Sequence, residues 1–120
     1  MLSTGLAAET NSAGQARHFV ANVLDGWGCS HVADTACLLA SELVTNAIRH
    51  GHEPLRLSLT HDDAEVRVEV RDAGGGVARL SDRGPFASDG RGLLLVEALS
   101  TAWGVDLGAD GKAVWFSLPI

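Results

Sequence analysis

Three groups of residues have types and spacings suited to chemistry. Glu42 and Asn46 stand four residues apart in Glu42-Leu43-Val44-Thr45-Asn46-Ala47-Ile48-Arg49-His50-Gly51. Asp72 heads the run Asp72-Ala73-Gly74-Gly75-Gly76. Gly90-Arg91-Gly92-Leu93 opens a strongly apolar stretch. A carboxylate can accept a proton, and a carboxamide oxygen can ligate a hard cation. Glycines let the backbone approach a ligand closely. An anion is held well by the free N–H groups at the start of a helix.

The elements around these residues decide how they point. Val32, Ala36, Leu39, Leu43 and Ala47 recur at steps of three and four, which predicts a helix from about His31 to His50 with Gly51 closing it. With Leu39 at zero and about 100° per residue, this stripe covers roughly 0° to 80° of the wheel. Glu42 and Asn46 then fall at roughly 300° and 340°, at the edge of the stripe and away from the solvent side. Arg49 and His50 flank the same edge one turn on. Polar groups there must find partners or line a cavity, because unpaired burial is costly. As plain structure they would be boundary residues capping loops.

Pro54 ends any helix and starts an extended segment. Leu55, Leu57 and Leu59 alternate with polar residues as a strand, His61 to Glu65 makes a hairpin connection, and Val66, Val68 and Val70 form a second strand. Asp72 is the next residue in phase, so a carboxylate points to the core side at a strand end. The three glycines after it read as a flexible turn when taken alone; beside an inward aspartate they read as a place for close ligand approach. Residues 77–89 lack periodicity and predict a loop of functional length. Arg91 adds positive charge at the helix that opens around Gly90 and Gly92, although a glycine at a helix start is by itself a weak signal.

The remaining segments complete the frame. Leu6 to Thr10 reads as an edge strand or a frayed end. Asn11 or Ser12 would cap a helix from about Gly14 to Leu24, and Trp27 would plug the core below the following turn. Trp103, Val105 and Leu107 predict a third strand, Asp110-Gly111 a turn, and Lys112 to Leu118 a fourth, with Val114, Phe116 and Leu118 on one face and Trp115 on the other. Trp103 and Trp115 read as core or interface residues. The sum is a single α+β domain over 1–120: a two-layer sandwich with a mixed, mostly antiparallel sheet and helices on one face.

Composition bounds the function. The chain has 120 residues and a net charge of −6, with Lys112 as its sole lysine. That balance argues against nucleic acid as a direct partner. Cys29 and Cys37 form no metal-ligand set and predict reduced thiols. Residues 1–11 show neither a basic nor an apolar leader pattern, and no apolar run reaches the roughly 20 residues of a bilayer span. A cytoplasmic protein without a membrane partner is expected.

Together these parts place an inward acid, an inward amide and two glycine clusters around one loop. An anionic ligand with a polar ring fits: the ring near Asp72, phosphates near Gly90 to Gly92, and a divalent ion held by Asn46. In this order the boxes resemble those of the GHKL superfamily of ATPases. Glu42 to Ala47 resembles its asparagine-bearing box, Asp72-Ala-Gly74-Gly-Gly76 its DxGxG box, and Gly90-Arg-Gly92-Leu93 its second glycine box. The resemblance covers nearly the whole chain and is greatest to small actinobacterial anti-sigma-factor serine kinases and related ATP-binding regulators.

The resemblance implies a Bergerat-type ATP pocket. Asn46 would ligate Mg²⁺, and Asp72 would accept a hydrogen bond from the adenine amine. Gly74 and Gly76 would admit the base and ribose. Gly90, Arg91, Gly92 and Leu93 would lie at the phosphates under a lid of about 77–89. Glu42 matches the general base that activates a serine hydroxyl, and Arg49 and His50 match positions that contact phosphate or lid. The implied activity is a Mg-ATP-dependent serine kinase of a small antagonist protein that also sequesters a sigma factor. The alternative is a non-catalytic, nucleotide-gated protein-binding module, with a homodimer left open in either case. Two features depart from larger relatives. The chain has no phosphoacceptor helix, since Pro54 follows His52-Glu53. Its lid carries no lysine, so transition-state charge would rest on Arg91, Arg83 or Arg79 and Mg²⁺.

Overall fold

The computed structural model describes residues 1–7, 9, 11–50, 54–73, 91–108 and 111–120, with the backbone alone described at 50, 91–94 and 108. Alternating leucines and valines make the strands, and three-and-four spacing makes the helices. In chain order the elements are β1 (Leu2–Leu6), α1 (Ser12–Gly26), a 3₁₀ turn (Ser30–Val32), α2 (Ala33–His50), β2 (Leu55–His61), β3 (Glu65–Asp72), α3 (Arg91–Leu99), β4 (Ala102–Gly108) and β5 (Gly111–Pro119).

The five strands form one sheet in the order β1-β2-β3-β5-β4. Every pairing is antiparallel. The sheet is therefore antiparallel throughout its described strands, without the parallel component that a mixed sheet would have. The first strand also differs from expectation: it is Leu2–Leu6, ahead of the 6–10 segment, and pairs with β2 from Leu2↔Leu59 to Leu6↔Leu55. Only Leu6 of that strand is buried, so its apolar pattern is too short to read from sequence.

Helix α1 begins at Ser12, two residues before the predicted start. Asn11 occupies the cap position without a side-chain capping bond, and the buried Ser12 hydroxyl donates to the Ala7 carbonyl at 2.5 Å. Ser12 thus joins the end of β1 to the start of α1. Trp27 is half-buried against the core and lies 4.3 Å from the ring of His61, centroid to centroid.

The core lies between the helix layer and one sheet face. Leu55, Leu57 and Leu59 of β2, Val66, Val68 and Val70 of β3, and Val114, Phe116 and Leu118 of β5 meet Val20 and Leu24 of α1 and Leu39, Leu43 and Val44 of α2. Phe116 is the largest of the fully buried side chains. Burying such a side chain contributes about 1.5–3 kcal/mol each before cavity effects. The opposite sheet face carries Arg56, Ser58, Arg67, Glu69, Arg71 and Trp115, as period two requires. Both cysteines are free, and burial, aided by Asp34, raises the Cys37 thiol above its ordinary range. Among the described residues no helix is long and apolar enough to cross a membrane.

Candidate functional site

Helix α2 supplies the first two groups. Its apolar stripe buries Ala36, Leu39, Ala40, Leu43, Val44 and Ala47, which fixes the rotation of the helix. That rotation turns Asn46 inward, where it is 4% exposed, and leaves Glu42 half-buried one turn earlier. Residues four apart lie one above the other on a helix, so the two share an edge. Asn46 is engaged in an interaction, and its Oδ1 accepts no hydrogen bond among the described residues. Arg49 is exposed and engaged in an interaction. His50 is the last residue of α2, and its side chain lies outside the described set.

Strand β3 supplies the third. Asp72 follows Val66, Val68 and Val70 in phase and is 3% exposed, as the alternation predicts. It sits between Leu55 of β2 and Lys112 of β5. Gly111 makes the close approach of β5 possible. Its φ is +137°, and a Cβ there would overlap the carbonyl of Asp72. Any other residue would push the two strands apart at the site.

The same register brings in a residue that the motif reasoning missed. Lys112 Nζ stands 3.9 Å from Asp72 Oδ2, with side-chain exposures of 12% and 4%. Its signal was present: Lys112 is in phase with Val114, Phe116 and Leu118, so period two turns it to the core side.

The glycine boxes are placed only in part. Gly74, Gly76 and Gly90, and the lid residues 77–89, lie outside the described residues. Arg91, Gly92 and Leu93 form the first turn of α3, so the helix starts two residues before the apolar run at Leu93. Helix α2 packs on β3, and α3 packs on α2 and β4. The α2 edge with Glu42 and Asn46, the β3 end with Asp72 and the start of α3 thus lie on elements linked through α2. A cavity of about 490 Å³ opens beside Asp72, between residues 5–7, 54–56 and 71–73. It includes Asp72 and leaves out Glu42 and Asn46.

The donor set bears on a metal. Among the described residues no group of three or more His, Cys, Asp or Glu could hold an ion. Asn46 Oδ1, a buried carboxamide oxygen on α2, has the chemistry to ligate a hard cation such as Mg²⁺.

The profile of the histidine kinase-like ATPase domain matches residues 6–118, and the chain belongs to that family. No curated protein matches significantly. Among solved structures, the blue-light activated histidine kinase of Erythrobacter litoralis EL346 is 26% identical, with a TM-score of 0.56 over 75% of this chain and 31% of that one. The histidine kinase domain of the same protein gives 21% identity and a TM-score of 0.55, covering 95% of this chain and 64% of that one. The catalytic domain of the histidine kinase ThkA is 14% identical, with a TM-score of 0.51 over 99% of this chain and 96% of that one. The last two likenesses show the fold alone. The chain spans less than a third of the first of these kinases.

Proposed function

We propose that this domain binds Mg-ATP and phosphorylates a serine on a small antagonist protein, and that its protein-binding surface sequesters a sigma factor. The observation that carries the proposal is the shared edge of α2, where half-buried Glu42 lies one turn from buried Asn46. A base beside a cation ligand is what activating a hydroxyl against a γ-phosphate requires. Mg²⁺, when bound, would neutralise charge on the phosphates, and Asn46 would be its protein ligand.

Glu42 would take the serine proton as the oxygen attacks the γ-phosphorus and the bond to ADP breaks. Asp72 would accept from the adenine amine and set the register of the nucleotide. Arg91, at the first turn of α3, would face the phosphates. Support for a serine rather than a histidine acceptor comes from the sequence, in which Pro54 directly follows His52-Glu53, a poor setting for a helix-borne phosphoacceptor histidine.

The test is transfer of labelled γ-phosphate to candidate antagonist proteins by the wild type and by Glu42→Ala. Labelling on serine that falls 100-fold or more in Glu42→Ala, consistent with removal of a general base, is expected. Nucleotide binding without transfer, with regulation intact in Glu42→Ala, would favour the nucleotide-gated module.

A further inference from the structure

Lys112 occupies an unusual place. Lysine seldom turns inward, yet this one, with its side chain 12% exposed, lies on the core side of an interior strand, in line with Val114, Phe116 and Leu118. Taking an ammonium and a carboxylate out of water is costly, and apolar side chains of similar volume often stabilise such a place equally well. The pair is therefore poorly explained by stability alone. At 3.9 Å, Lys112 Nζ and Asp72 Oδ2 attract each other but are too far apart for an N–H···O hydrogen bond. The ammonium carries three donors that this carboxylate does not saturate.

An acceptor and a donor held side by side are the complement of a base edge that presents a donor beside an acceptor. Adenine has that pattern, because its exocyclic amine adjoins a ring-nitrogen acceptor. The O6 and N7 edge of guanine presents two acceptors, one of which would face the carboxylate. We propose that Lys112 is a second base-reading residue, donating to the ring nitrogen beside the amine that Asp72 accepts from. This rests on Asp72 contacting adenine. Gly111 serves both, since its lack of a Cβ lets β5 bring Lys112 up to the end of β3.

The test is calorimetric titration of the full chain with ATP, 1-deaza-ATP and 7-deaza-ATP, for the wild type, Lys112→Met, Lys112→Arg and Asp72→Asn. The wild type should bind one deaza analogue about 10- to 100-fold more weakly than ATP, the range for a hydrogen bond from a charged donor. Lys112→Met should bind ATP weakly and lose that discrimination, while Lys112→Arg, which keeps a cationic donor, should retain part of it. A wild type that binds both analogues as well as it binds ATP overturns the proposal without any variant. So does a folded Lys112→Met that discriminates like the wild type. If Asp72→Asn loses ATP while Lys112→Met does not, only the lysine role fails. If Asp72→Asn binds ATP normally, the adenine contact itself is wrong.

Discussion

The indole of Trp115 lies against Gly104, its cross-strand partner on β4, so closely that a Cβ on Gly104 would stand 2.9 Å from Cζ2. The guanidinium of Arg67 covers the same ring at 4.1 Å and extends to Asp106 Oδ2 at 3.5 Å. Three strands are thereby joined on the face that no helix among the described residues covers. Gly104→Ala must displace the indole, and overpacking of this kind costs about 1–3 kcal/mol. Thermal unfolding should show a midpoint several degrees lower, by about 4 °C per kcal/mol for a domain of 120 residues. An unchanged midpoint would mean that the ring moves freely.

Periodicity made the inward orientation of two candidate residues legible in the sequence. Asp72 could be placed on the core side because three valines precede it in phase, and the structure buries it. Asn46 could be placed by the wheel because the stripe from Ala36 to Ala47 is unbroken. Other features were hidden for physical reasons. Strand β1 has one buried side chain, too few to show a period. The Asp72–Lys112 pair depends on the β3–β5 register, which joins positions 40 residues apart and is set by pairing rather than by local pattern. Ser12 bonds a carbonyl upstream instead of capping its own helix, a choice fixed by where β1 ends.

The β2–β3 turn should respond to acid. Asp62 Oδ1 accepts the backbone N–H groups of Ala64 at 2.7 Å and Glu65 at 2.9 Å, which hold its carboxyl below the ordinary 3.8. A carboxyl that binds its proton less readily when folded stabilises the fold fully above its unfolded value. That contribution is lost as pH falls through the lower folded value. Asp62→Asn should therefore be less stable than wild type near neutrality, and the gap should close between about pH 5 and pH 2. Urea denaturation across that range checks it; a constant gap would contradict the turn's role.

Asn46 should separate metal from nucleotide. Asn46→Ala removes the one protein oxygen assigned to Mg²⁺, so ATP affinity in the presence of Mg²⁺ should fall by about 10-fold or more, as loss of a bond to a charged group predicts. Affinity in EDTA should change little. Equal losses under both conditions would show that Asn46 holds the pocket's shape and ligates nothing.

The most direct measurement is calorimetric titration of the purified protein with ATP and Mg²⁺, wild type beside Asp72→Asn. The wild type should bind. Asp72→Asn turns an acceptor-only carboxylate into a mixed donor and acceptor facing the adenine amine, and should weaken binding by about 10- to 100-fold. A wild type that does not bind ATP, or an Asp72→Asn variant that binds it equally well, would contradict an adenine site at the end of β3.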